Sequence, residues 1–149
     1  MKARIQNPAM VVPDAMTHLM ALGKMMSQSP IPAQTLGLVP LRVSQINGCA
    51  VCIDLEIQRN KDTAQRLAAV AVWRDTPFFS DPERAALALA EAVTRLADQT
   101  DAVPDAVWAE AARHYDERAL AHLVLDVSIM NLYNRVNVAT RQVPGAQKW

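Results

Sequence analysis

The sequence predicts an all-α protein. Alanine and leucine are abundant, while only 4 of 149 residues are glycine. The β-branched residues are scattered rather than alternating as strands require. Between clear stop signals, apolar residues recur at three- and four-residue steps, the spacing of a helix face. The length fits a single domain spanning residues 1–149, and an apolar content of 51% allows a sizeable core.

The first helix is expected from about Pro13 to Met26. Pro13 suits a first helical position and Asp14 suits the positive end of the helix dipole. Met16, Leu19, Met20, Gly23 and Met26 read as a core-facing stripe. Ser29-Pro30-Ile31-Pro32 breaks the chain. A second helix follows from about Ala33 to Ile46. Gly37 weakens it, and Pro40 implies a kink or a helix that properly begins there. Asn47-Gly48 makes a turn into a third helix, from about Cys49 to Asn60.

A fourth helix is expected from about Asp62 to Trp73, ending in a connection, Trp73 to Phe79, with bulky anchors. Ser80-Asp81-Pro82-Glu83 is the clearest helix start, because Ser80 and Glu83 have capping-box spacing. Beyond it, Ala86, Leu89, Ala90, Val93 and Leu96 form an apolar face, and Glu91, Arg95 and Asp98 read as a solvated one. A short helix opens at Asp101-Ala102-Val103-Pro104 and reaches about His114. The last runs from about Asp116 to Arg141, stopped by Pro144-Gly145. One face of it carries Asn131 and Asn134, expected to be buried and hydrogen-bonded.

The charge balance excludes some classes of function. Fifteen basic and fifteen acidic side chains give a formal net charge of zero. No basic stripe argues for nucleic acid. No signal-peptide core and no apolar run near the ~20 residues of a membrane span are visible, so a soluble, cytoplasmic protein is expected.

Chemistry concentrates in Gln45-Ile46-Asn47-Gly48-Cys49-Ala50-Val51-Cys52-Ile53-Asp54-Leu55-Glu56, which holds both cysteines of the chain. On the first turn of a helix two such sulfurs can reach each other. The unpaired N–H groups and partial positive charge there favour a thiolate, and thiols of this kind have pKa values below the free value of about 8.5. In a reducing cytosol a close pair is more often redox-active or metal-binding than a static staple. A closed metal site needs two further ligands. His18, His114 and His122 offer no recognised spacing, so no metal is expected. No glycine-rich phosphate loop and no Ser-His-Asp set is present, and no cofactor is expected. Reversible thiol chemistry is the favoured reading.

Leu41 to Cys52 resembles the AhpD-like branch of the carboxymuconolactone decarboxylase family. So do Ala71 to Ser80 with Glu83-Arg84-Ala85-Ala86-Leu87, and Asn131 to Val138. The likeness runs from about Pro13 to Pro144. It implies an all-helical bundle and a homo-oligomer, commonly a trimer or hexamer. It also implies reduction of alkyl hydroperoxides, or thiol–disulfide exchange with a protein or lipoyl thiol. Cys49 and Cys52 fall on the family's active pair; the family's relay geometry implies Cys52 as the attacking sulfur and Cys49 as the resolving one, while the helix terminus favours Cys49 as the more acidic thiol.

Two positions depart from that family's pattern. Its active members carry a glutamate eleven intervening residues before the first cysteine, where this chain has Gly37. They carry a histidine four residues after the second, where this chain has Glu56. Glu56 shares a helix face with Cys52 and is the third candidate catalytic residue. An ionised glutamate repels a thiolate, and with reference values near 4.3 and 8.5 proton transfer to it is uphill by roughly 5–6 kcal/mol. Burial of Glu56 would shrink that gap. His122 and Asp54 are the other residues able to stand in for the relay. The alternatives are a catalytically silent or redox-sensing oligomer and, ranked lower, a lactone decarboxylase.

Overall fold

A computed structural model describes residues 1–97 and 99–146. Among them every regular element is helical: α1 (Pro8–Val11), α2 (Ala15–Met26), α3 (Ala33–Asn47), α4 (Ala50–Arg59), α5 (Ala64–Ala69), a 3-10 segment (Val70–Asp75), α6 (Asp81–Thr94), α7 (Asp105–His114) and α8 (Glu117–Thr140). None of these helices is long and apolar enough to cross a membrane.

Helix α3 is the axis of the bundle. It packs on α4, α6, α8 and the 3-10 segment. On one side Val39 and Val43 meet Ala86, Leu89 and Ala90 of α6 and Leu120, Leu123 and Val127 of α8. On the other, Leu38 and Leu41 meet Leu67, Val70, Trp73, Phe79 and Leu87. Fully burying a leucine contributes about 1.5–3 kcal/mol, and Leu38, Leu41 and Leu87 are all completely enclosed. This packing carries α3 through Pro40. The helix neither starts nor stops at the proline, which is itself buried at the centre.

Several boundaries match their local signals. Ser80 and Glu83 form the capping box reciprocally, with Ser80 N–H donating to Glu83 Oε2 at 2.8 Å. Pro104 precedes α7, and Asp116 caps α8 by accepting from Ala119 N–H at 2.8 Å.

Other expectations are corrected. The expected helix from Asp62 to Trp73 is a short α-helix followed by the 3-10 segment, because Val72 leaves helical geometry at φ −126°, ψ 32°. The reason lies in tertiary bonds. Arg84 donates to the carbonyls of Trp73, Arg74 and Thr76. Arg66 bridges Glu83, Asp62 and the carbonyl of Phe78. The first helix starts at Ala15, after Asp14 in the left-handed region (φ +62°), and α1 precedes it. The methionine stripe of α2 is not a core stripe. Only Met26 is buried, and Met20 is 67% exposed.

Glu91 overturns the solvated reading of its face. It is 5% exposed. Its carboxylate accepts from Arg42 Nε at 2.6 Å, Trp73 Nε1 at 3.0 Å and Arg74 Nη1 at 2.5 Å, with Arg95 at 3.3 Å. Burial alone would raise its pKa. The bonds from Arg74, Trp73 and Arg42 outweigh burial and hold it at about 2. Asp98, placed on the same face by the sequence, lies outside the described residues.

Candidate functional site

The turn that presents the cysteines is built by glycine. Helix α3 ends in a Schellman motif: Gly48 sits at φ +66°, its N–H reaches Gln45 O at 3.3 Å, and the Cys49 N–H reaches Ser44 O at 3.0 Å. A side chain with a Cβ costs about 1–2 kcal/mol in that conformation. Cys49 then caps α4, its carbonyl accepting from Ile53 N–H at 2.9 Å, and Cys52 lies in the first turn.

Side-chain amides hold this turn from behind. Asn47 donates to Oδ1 of both Asn131 and Asn134 at 2.9 Å. Asn134, fully buried, donates to Ser44 Oγ at 3.1 Å, and Asn131 donates to Val127 O and Thr94 Oγ1. The two asparagines of α8 are therefore buried and satisfied, as their spacing implied.

Cys49 and Cys52 are joined as a disulfide with Cα atoms 5.3 Å apart. They are 1% and 4% exposed and pack with Val51, Leu55 and Met130. Cys52 Sγ accepts from Asn137 Nδ2 at 3.4 Å. Such a donor favours the thiolate over the thiol. Asn137, the donor to that sulfur, also lines a small cleft of about 90 Å³ with Met16, Leu19, Met20 and Tyr133. The sequence held Asn137 inside the family-like stretch Asn131 to Val138 but gave it no role, because its relation to Cys52 spans 85 positions.

Gly37 and Glu56 line one cleft of about 380 Å³, with Gln34, Arg59, Asn60 and Asp62. A Cβ at position 37 would fall on the Asn60 side chain, 3.0 Å from its Cγ. Asn60 thus occupies the space beside Gly37. Its Oδ1 accepts from Asp62 N–H, while its Nδ2 is buried without a hydrogen-bond partner among the described residues.

Glu56 is partly buried rather than solvated. Burial raises its pKa, and the Arg59 guanidinium draws it part of the way back. Across the α4–α8 contact, burial and then the repulsion of Glu56 push Asp126 up to about 7. Asp126 Oδ2 and His122 Nδ1 are buried with no hydrogen-bond partner among the described residues. The sequence offered His122 as a stand-in for the relay but gave no sign of Asp126.

The raised pKa of Asp126 has a sign that can be checked. The folded protein keeps this proton while the unfolded chain loses it near 3.8, so its contribution is present at low pH and is lost as pH rises through about 7. Asp126→Asn removes the cost of a buried carboxylate. Urea unfolding at pH 5 and pH 8 should show the variant gaining on wild type at pH 8. An equal difference at both values would contradict the burial.

The carboxymuconolactone decarboxylase family pattern matches residues 13–92. The chain belongs to that family. The uncharacterized protein YdfG of Bacillus subtilis is 36% identical over 132 residues, 87% of this chain and 88% of that one. A solved structure from Agrobacterium tumefaciens superposes with a TM-score of 0.89 at 30% identity, covering 98% of this chain and all of that one. That protein is of unknown function and is a candidate AhpD antioxidant defence protein, which places this family member in the AhpD-like branch. The debrominase Bmp8, 24% identical with a TM-score of 0.77, covers 90% of this chain and 73% of its own and shares the family fold.

Proposed function

We propose that this protein is a thiol-dependent oxidoreductase that reduces organic hydroperoxides through Cys49 and Cys52. The observation that carries the reading is the Cys49–Cys52 disulfide at the start of α4, with Asn137 donating to the Cys52 sulfur. The Cys52 thiolate attacks the distal peroxide oxygen. The O–O bond breaks, the alkoxide takes up a proton, and Cys52 becomes a sulfenic acid. Cys49 attacks that sulfur, the S–S bond forms, and hydroxide leaves as water with the Cys49 proton. A dithiol, on a protein or a lipoyl group, then reduces the disulfide by exchange. The methionine- and leucine-lined cleft at Asn137 suits a substrate with an alkyl chain.

Reduced protein should consume an organic hydroperoxide, with a lipoyl dithiol sustaining turnover. Cys49→Ser and Cys52→Ser should each abolish the sustained rate. Undiminished consumption by both variants would end the reading.

The same reading includes a homo-oligomer. Val11, Val12, Met20, Leu22, Leu125 and Leu132 are large apolar side chains left exposed on the single chain, the kind of surface that a protein–protein interface covers. Light scattering should return the mass of three or six chains, and a one-chain mass would remove this part.

A further inference from the structure

Asn137 is held at both ends of its amide. Its Nδ2 donates to Cys52 Sγ at 3.4 Å, and its Oδ1 accepts from Asn7 Nδ2 at 3.3 Å. A third bond fixes the direction of these two. Asn7 Oδ1 accepts from the Ala9 backbone N–H at 3.0 Å. A backbone N–H can only donate, so the Asn7 oxygen must face Ala9 and the Asn7 nitrogen must face Asn137. The Asn137 oxygen is then the atom turned to Asn7, which leaves the Asn137 N–H group for the sulfur. One backbone donor at position 9 thus decides, through two amides, that Cys52 receives a hydrogen rather than a lone pair.

Asn7 is itself anchored. It caps α1, and the segment before it is tied to the end of α8. Arg4 N–H donates to Thr140 O at 2.9 Å, Arg4 Nη1 to Ala139 O at 3.0 Å, and Gln142 Nε2 to Ile5 O at 3.1 Å. Asn137 stands on α8 about one turn before these bonds. The other sulfur has no comparable donor. Cys49 occupies the N-cap position of α4, yet its side chain makes no capping bond to the first N–H groups of that helix. A direct donor to a charged group outweighs the diffuse field of a helix end.

From this chain of bonds we propose that Asn7 is a positioning residue of the thiol site: it locks Asn137 with its N–H on Cys52 Sγ, and so makes Cys52, not Cys49, the more acidic thiol of the reduced pair. The proposal rests on the thiol reading above, but it concerns which sulfur carries the charge and not what that sulfur attacks. Both amides lie outside residues 13–92, the stretch that the family pattern matches. The amino-terminal segment therefore belongs to the site, although it holds none of the cysteine motif.

The test follows the ultraviolet absorbance of the thiolate against pH in Cys49→Ser and Cys52→Ser proteins, each of which keeps one thiol. Cys52 should titrate below Cys49, and Asn137→Ala should weaken its acidity about tenfold, the low end for a bond to a charged group. Two changes at position 7 separate capping from positioning. Asn7→Ser and Asn7→Asp both keep an acceptor for the Ala9 N–H, so α1 stays capped. Neither can donate to Asn137 as the amide does. Each should weaken Cys52 severalfold, add little to Asn137→Ala, and leave Cys49 where it was. The serine variant does this without a new charge. The titratable groups of α4 (Asp54, Glu56, Arg59) and those of α8 on its cysteine side (His122, Asp126, Tyr133) are the same in every protein compared, so a difference reports the amides.

A Cys52 titration unmoved by either change at position 7, in proteins with the circular dichroism of wild type, would overturn the proposal, as would Cys49 titrating below Cys52. Shifted titrations in a protein that consumes no hydroperoxide would support the amide pair and remove the peroxidase reading. Cysteine-dependent turnover with unmoved titrations would do the reverse.

Discussion

Glu91→Ala should lower the unfolding free energy by about 3 kcal/mol, near the low end of the cost of breaking a buried ion pair from one side. The expected size follows from its partners. Arg74 and Arg95 are half exposed and can turn to water, but Arg42 is 13% exposed and would keep its charge without its partner. The Trp73 indole N–H also loses its acceptor. Glu91→Gln retains an acceptor for the indole and should cost less. Urea titration ranks the two, and a loss below about 1 kcal/mol, the range of an exposed pair, would show that the arginines are solvated. The pH dependence has a definite sign. Glu91 is held at about 2 against 4.5, so its contribution is full above pH 4.5 and is lost as pH falls towards 2. The Ala variant should therefore differ most from wild type at neutral pH and least in strong acid.

Asn134→Ala should cost about 2 kcal/mol, the price of leaving buried polar groups without partners. Ser44 Oγ loses a donor and Asn47 Nδ2 loses one of two acceptors. The second effect falls on the turn that presents the cysteines. Asn47 is the last residue of α3, directly before Gly48 and Cys49, and its side chain is tied to α8 through Asn131 and Asn134. Hydrogen exchange at the Cys49 amide, which is bonded to Ser44 O, should quicken in the variant by more than global destabilisation explains. Exchange that tracks global unfolding would show that the asparagines are packing residues only.

What the chain disclosed as sequence was what short-range chemistry governs. Ser80 and Glu83 announce a helix within four residues. Gly48 announces the turn because few other residues adopt its geometry. The cysteine spacing announces a pair. The losses were tertiary. Glu91 looked like surface because charged residues on an amphipathic helix usually are, and the arginines that bury it come from α3 and the 3-10 segment, up to 49 positions away. Asp126 gave no periodic signal and acquires meaning only when α8 is laid beside Glu56. The stripe on α2 had core spacing, yet in the single chain it has little to pack against.

The approach of Gly37 to Asn60 links two positions in any attempt to rewire this protein. A side chain written into position 37 would meet the amide at the end of the Asn60 side chain. That amide can swing aside, at the expense of the bond that its Oδ1 accepts from Asp62 N–H. A shorter residue at 60 would clear the same space without moving anything.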